Sequence, residues 1–95
     1  MEKLLKAIYT RLLEGENIEV YQDLCNICRS EIEKGELGLA LNYLKLLAVE
    51  CESRVPALAR KDLAKAQKLM EIHKQTLLAL APHHFDSFLL YVEWD

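Results

Sequence analysis

The spacing of apolar residues is the feature of this sequence that most restricts its fold. Near the N-terminus, apolar pairs recur every four residues: Leu4/Leu5, Ile8/Tyr9 and Leu12/Leu13. That spacing places the pairs on one face of a helix. The 95 residues include only 3 Gly and 2 Pro, with no run of alternating apolar and polar residues and no Asn-Gly hairpin, which argues against strands. The predicted fold class is therefore all-α: one domain over residues 1–95, built as a small antiparallel bundle of four main helices plus a short C-terminal helix.

The pattern places the first three helices at residues 2–13, 19–34 and 37–54. Gly15 stands where the first helix would end in a left-handed cap, and Gly35 ends the second. The third helix is apolar around most of its circumference, so we expect it at the centre of the bundle, in contact from two sides. Its segment KGELGLALNYLKLL resembles the second half of a tetratricopeptide-type hairpin, but one copy predicts only a helical hairpin with close packing at Ala40.

Two prolines divide the C-terminal half. Pro56 cannot donate to the carbonyl of Glu52 and disfavours helix at the preceding residue, so we expect a break or kink there. The fourth helix then begins near Ala57 or at Asp62 and runs to residue 80. Pro82 stops it, and residues 84–93 form the short fifth helix. The predicted buried face of the fourth helix comprises Leu63, Ala66, Leu69, Met70, His73, Leu77 and Leu80, with Lys61, Lys65, Lys68 and Gln75 facing the other way.

The charge is unevenly distributed. The formal net charge is −3, but residues 1–52 hold six basic and ten acidic side chains, whereas residues 53–74 hold six basic and two acidic ones. The candidate nucleic-acid contacts in this basic segment are Arg54, Arg60, Lys61, Lys65 and Lys68. Regular spacing on a helix could align several of them with a phosphate backbone. The simpler interpretation is the solvated face of an amphipathic helix, because no aromatic residue interleaves to stack on bases.

The segment LCNICRS places Cys25 and Cys28 in a Cys-x-x-Cys arrangement. A zinc site needs four ligands, and only Cys51 and His73 could complete the set from other helices. A redox motif would normally open a helix, whereas this one lies in mid-helix near the apolar face. Packing is the favoured interpretation of the cysteines, so no metal site is assigned. A small metal-binding regulator using the three cysteines is the weakest alternative.

The sequence carries no nucleophile motif, phosphate-binding glycine loop or His-Glu-x-x-His motif, so we expect neither an enzyme nor a cofactor. The longest uncharged run, residues 75–85, is too short to cross a bilayer, and residues 1–16 do not resemble a secretion signal. The expected location is the cytoplasm, with no membrane partner.

The end of the sequence is its most aromatic part. Candidate protein-interface residues there are Phe85, Phe88, Leu90, Tyr91 and Trp94. Together with EVYQDLCNIC, LALNYLKLLAVECESRVPALARKD and KLMEIHKQTLLALAP, the segment FDSFLLYVEWD resembles the N-terminal region of large terminase subunits. These are the DNA-packaging motors of tailed phages and prophages of Gram-positive bacteria. The resemblance covers nearly the whole chain, but through helical pattern and the aromatic ending rather than through a catalytic motif.

The resemblance implies an accessory helical domain of a longer motor protein in the bacterial cytoplasm. Its partners would be other terminase components, the capsid portal or a second copy, and DNA. Since the sequence contains no Gly-x-x-x-x-Gly-Lys-[Ser/Thr] loop and no acidic metal cluster, no ATPase or nuclease residue is transferred to it. A different interpretation is a free-standing helical adaptor or phage-encoded inhibitor that binds a host protein through its acidic first half.

Overall fold

The computed structural model describes residues 1–15 and 17–83, and in these residues it is an all-α bundle without strands. The four helices are α1 (Glu2–Glu14), α2 (Ile18–Glu33), α3 (Leu37–Lys61) and α4 (Leu63–Leu80). The connections at residues 15–17, 34–36 and 62 are short, which makes successive helices antiparallel. The predicted fold class is confirmed, while the predicted fifth helix at residues 84–93 lies outside the described residues.

The course of the chain through Pro56 excludes the predicted break, while the alternative of a kink inside a continuous helix stays a prediction. Pro56 neither breaks the chain nor starts a new helix at Ala57, because α3 continues through it to Lys61. The proline is exposed, as is Glu52 one turn earlier. The Glu52 carbonyl that loses its donor therefore lies on the solvent side, where water can replace the missing N–H. Position in the bundle, rather than proline itself, decides that this helix continues.

Side-chain caps define the starts of α2 and α4. The side chain of Asn17 accepts from the N–H of Glu19 at 3.0 Å at the start of α2. That of Asp62 accepts from the N–H of Lys65 at 3.2 Å at the start of α4. Asp62, one of the two predicted starts, is thus the N-cap, and this single residue separates α3 from α4.

The two interhelical glycines behave differently. Gly35 has φ +88°, the left-handed conformation that glycine adopts without steric cost. Its N–H donates to Ile32 and the N–H of Glu36 donates to Glu31, which is the Schellman arrangement that closes a helix. Gly15, in contrast, is extended with φ −164°, so the predicted left-handed cap at this position is wrong.

The core is formed by one stripe from each helix. Both α2 and α3 contact all three other helices, so the central position predicted for α3 is shared with α2. The fully buried large side chains are Leu5, Leu12, Tyr21, Leu24, Leu44, Leu47 and Leu69, together with Thr76 and the three cysteines. Ala40 is also buried, and the rings of Tyr9 and Tyr43 meet edge to face at 5.9 Å between α1 and α3.

The buried face of α4 is rotated from the predicted one. Ala66, Leu69 and Leu80 are buried as expected, but the remaining buried positions are Ile72 and Thr76. Leu63 and Met70, both predicted to be core residues, are exposed. The rotation follows from packing, because α4 contacts both α2 and α3 and must turn toward the groove between them.

Candidate interaction surface

Cys25, Cys28 and Cys51 lie in the core, on α2 and α3, and each is completely buried. The hydroxyl oxygen of Thr76 lies 3.6 Å from Sγ of Cys25 and donates to the carbonyl of Ile72 at 2.8 Å. Burial raises the pKa of Cys28 and of Cys51 to about 12, and it also raises the pKa of Cys25. Thiols with such pKa values stay protonated at neutral pH, so they are poor nucleophiles and poor metal ligands.

The structure gives no support to the four-residue metal set of the three cysteines and His73. His73 is half-buried on α4. Among residues 1–15 and 17–83, no group of three or more His, Cys, Asp or Glu side chains is arranged to hold a metal ion. The three cysteines pack as small apolar side chains between the helices.

Of the five basic residues proposed to contact nucleic acid, Arg54 is engaged inside the bundle. Arg54 is half-buried and held between α1 and α3. Its Nη2 donates to the carbonyl of Leu13 at 3.5 Å, and its Nε lies 3.8 Å from a carboxylate oxygen of Glu50. Arg60 and Lys61 occupy the last turn of α3. The guanidinium of Arg54 is thus already engaged by partners on α1 and α3.

Lys65 and Lys68 do share a surface. They line an open groove of about 530 Å³ with Asn17, Ile18 and Glu19, at the N-terminus of α2. The N–H groups of Glu19 and Val20 at this end of α2 already donate to Asn17, so the attraction for an anion comes from the helix dipole and the two ammonium groups. The carboxylate of Glu19 in the same groove opposes it, so the groove is only moderately favourable to an anion.

A polar contact between α2 and α4 was not anticipated from the sequence. Nε2 of Gln22 donates to Oε1 of Gln75 at 3.1 Å and to Oδ1 of Asn26 at 2.9 Å. Gln75 was expected on the solvent face of α4, yet it is half-buried against α2. Helical periodicity could not reveal the pair, because the two glutamines are 53 positions apart.

Three of the four most exposed large apolar side chains in the described part of the chain lie on α4. Leu63 is 60% exposed, Met70 54% and Leu78 64%, and Leu77 is half-buried beside them. Leu63, Met70 and Leu77 are spaced by seven residues, or about two helical turns, so they lie in one row. We call Leu63, Met70, Leu77 and Leu78 the α4 stripe. It runs nearly the full length of α4 and ends just before the aromatic C-terminal segment.

The other exposed large apolar side chains in the described residues lie on α1 or its N-cap and on α3. Leu46 and Val49 are neighbours on α3, whereas Leu4 and Leu13 lie at opposite ends of α1. Isolated exposures of this kind are ordinary on soluble proteins. The predicted interface residues Phe85, Phe88, Leu90, Tyr91 and Trp94 lie outside the described residues, so the structure does not test that prediction.

Comparisons with known proteins add no assignment to this surface. No protein-family model, curated protein or solved structure matches the chain. None of the four described helices is both long enough and apolar enough to cross a membrane. The α4 stripe and the lysine groove are therefore interpreted from their own chemistry.

Proposed function

We propose that this chain is a helical protein-interaction module that acts in the assembly of a larger complex. The observation that carries this proposal is the α4 stripe, which exposes apolar side chains immediately before the aromatic residues 85–94. A row of apolar side chains along one edge of a domain is typical of a contact surface. The resemblance to the N-terminal region of terminase large subunits suggests which complex, namely a phage DNA-packaging motor.

The number of exposed apolar side chains is consistent with weak association. Burying one large aliphatic or aromatic side chain contributes about 1.5–3 kcal/mol. The cost of association and of ordering side chains consumes the contribution of several such residues. Two or three side chains from the aromatic segment, added to a preformed apolar edge, would therefore suffice for a weak complex but not for an obligate one.

The chemistry of the core favours this role over catalysis. The only thiols in the sequence are Cys25, Cys28 and Cys51, and burial keeps them protonated by raising the pKa of each. A nucleophilic thiol needs the opposite shift and an accessible position. The cysteines therefore support packing and give no basis for an enzymatic proposal.

Sedimentation velocity tests the interaction proposal in its simplest form, self-association. We expect the intact chain to show a concentration-dependent monomer–dimer equilibrium, which the double substitution Leu90→Asp/Tyr91→Asp abolishes. The matched control is Leu4→Asp/Leu13→Asp, which adds the same charges to exposed positions on α1 and should leave the equilibrium unchanged. An intact chain that remains monomeric at the highest soluble concentration would refute self-association through the aromatic segment.

The gene itself tests which complex is involved. If the chain is the first domain of a terminase large subunit, the reading frame should continue beyond the codon for Asp95 into a Gly-x-x-x-x-Gly-Lys-[Ser/Thr] loop. A stop codon at that point would contradict the motor assignment. It would favour the alternative of a free-standing adaptor or inhibitor that binds a host protein.

A second candidate function is contact with a DNA backbone, favoured by the pair Lys65 and Lys68 at the N-terminus of α2. Fluorescence anisotropy with duplex DNA should show binding that weakens steeply with salt, since each neutralised phosphate adds about −0.9 to the log–log slope. Lys65→Ala/Lys68→Ala should reduce that slope, whereas Lys3→Ala/Lys6→Ala on α1 should not. Absence of binding at low salt, or equal effects of the two pairs, would eliminate this candidate.

A further inference from the structure

We propose that the partner of the α4 stripe is the α4 stripe of a second copy of the chain, with the two helices antiparallel across a two-fold axis at Met70. This inference rests on the proposed function and deepens it, because it names the partner of the surface that carries that function. The spacing of the apolar residues, the polar row beside them and the exposed charges each favour this partner.

The apolar row of α4 is symmetric about Met70. Leu63 lies seven residues before Met70 and Leu77 lies seven residues after it, so each is about 10 Å away along the helix axis. A two-fold interface uses the same patch on both copies, and each residue must find a suitable counterpart within that patch. Across an antiparallel pair centred on Met70, Leu63 lies level with Leu77 of the second copy, and the two Met70 side chains lie side by side. The row therefore supplies both halves of an apolar contact.

The polar residues beside this row are complementary in the same arrangement. Gln67 and Lys74 are exposed and lie on the same side of the apolar row, about one turn from Met70 in opposite directions. In the antiparallel pair, Gln67 and the Lys74 of the second copy differ in level by only about 1.5 Å along the axis. The amide oxygen of Gln67 can then accept a hydrogen bond from that ammonium group. The two-fold axis repeats this contact on the other side of Met70.

Lys74 also decides between an antiparallel and a parallel pair. In a parallel pair each residue meets its own copy, so two Lys74 ammonium groups would lie opposite each other, which is unfavourable. The antiparallel pair separates them by about 12 Å along the axis. The exposed carboxylate of Glu71 lies at the outer edge of this face, three residues from both Lys68 and Lys74, whose charges offset it on the same helix. The charges thus favour the antiparallel pair.

The remaining member of the stripe has a small counterpart. Leu78 is 64% exposed, and in the antiparallel pair it lies within about 3 Å of the level of Ala64 in the second copy. Ala64 is exposed, and a large side chain opposite a small one lets two helices approach closely. A contact made by one helix from each copy is at the small end of specific interfaces. We therefore expect a weak dimer that depends on concentration.

Cysteine cross-linking tests the arrangement in the intact chain. Met70→Cys adds one exposed thiol, and the short reagent bis-maleimidoethane should join two such chains efficiently, because their thiols lie side by side at the two-fold axis. The unsubstituted chain should give little product, since its three cysteines are buried and burial raises the pKa of each. Val49→Cys is the matched control, because Val49 is 51% exposed against 54% for Met70 but lies on α3. It should also give little product.

A second pair of variants distinguishes the two helix directions. Leu63→Cys alone and Leu78→Cys alone should each give little product, because the two equivalent thiols lie more than about 20 Å apart in the antiparallel pair. A mixture of the two variants should be joined, since position 63 of one copy lies nearly level with position 78 of the other.

Charge substitutions at Gln67 test the polar contact by sedimentation velocity. Gln67→Glu places a carboxylate opposite Lys74 twice in each dimer, so the dimer dissociation constant should fall several-fold. Gln67→Lys places two ammonium groups together at the same points and should raise that constant several-fold. Circular dichroism should show that both variants keep their helix content.

Three results would overturn the inference. If the intact chain dimerises but Met70→Cys gives no more product than Val49→Cys, the proposed function stands while the α4 pair is wrong. If Leu63→Cys alone is joined as efficiently as Met70→Cys, the helices are not antiparallel. An intact chain that stays monomeric at the highest soluble concentration excludes a second copy as the partner and leaves the interaction proposal to a different protein.

Discussion

Replacing Pro56 with alanine should stabilise this protein. Pro56 lies inside α3, five residues before its last residue Lys61, and leaves the carbonyl of Glu52 without its helical donor. Alanine supplies that N–H and removes the proline ring from the preceding turn. Because Pro56 is exposed, the substitution removes no core packing, and the change in free energy of unfolding comes from the backbone alone.

The magnitude of the effect follows from two opposing contributions. Proline in a helix interior is about 3 kcal/mol less favourable than alanine. Alanine, however, gives the unfolded chain more conformational freedom, which costs about 0.4–1 kcal/mol. We therefore expect Pro56→Ala to raise the free energy of unfolding by about 2 kcal/mol, which corresponds to a Tm increase of roughly 10 °C for a chain of this size.

Urea unfolding followed by circular dichroism measures this change. The control is Pro82→Ala, since Pro82 is exposed and lies beyond the end of α4. Pro82 lies outside a helix interior, so alanine relieves no interior proline penalty there and brings mainly the entropic cost, and we expect a loss of at most about 1 kcal/mol. If Pro56→Ala left the protein equally stable or less stable, the continuity of α3 through this position would be wrong.

Three further predictions concern the core, a helix cap and the thiols. In urea titrations, Leu44→Ala should lower the free energy of unfolding by about 2–5 kcal/mol, whereas Leu46→Ala, at an exposed position, should lower it by at most about 0.5 kcal/mol. Similar losses in the two variants would mean that the buried face of α3 is misassigned. Asp62→Ala should lower the free energy of unfolding by about 0.5–2 kcal/mol in the same assay, and Asp62→Asn should lower it much less, because asparagine can also accept the cap hydrogen bond. Equal losses in the two variants would show that this bond contributes nothing. Burial raises the pKa of Cys28 and of Cys51 from 9.0 to about 12. The unfolded chain therefore ionises first, and stability should be full below pH 9 and fall between pH 9 and 12. The loss is at most about 1.4 kcal/mol per thiol per pH unit. Urea titrations at several pH values should show this loss, and an unchanged slope in Cys28→Ala/Cys51→Ala would exclude the thiols as its source.

The sequence by itself determined the fold class and most helix boundaries of this protein. Apolar residues at helical spacing require an amphipathic helix wherever they occur, independent of the neighbours of that helix. The positions of Gly35 and Asp62 gave a helix end and a helix start, because capping depends on local backbone chemistry. Residues 84–93 were predicted by the same reasoning and await a test.

Only the tertiary structure decided which side of each helix is buried and what a proline does. The apolar arc of α4 is wide enough for several rotations, and contact with α2 and α3 selected the one that buries Ile72 and Thr76 and exposes Met70. Likewise, Pro56 interrupts the hydrogen bonding of α3 without ending the helix, because packing places it on the solvent side. Such choices depend on contacts between residues distant in sequence, which local periodicity does not contain. The α4 stripe exists for this reason: its residues are apolar by sequence, but they are uncovered only because the bundle placed other residues of α4 in the core.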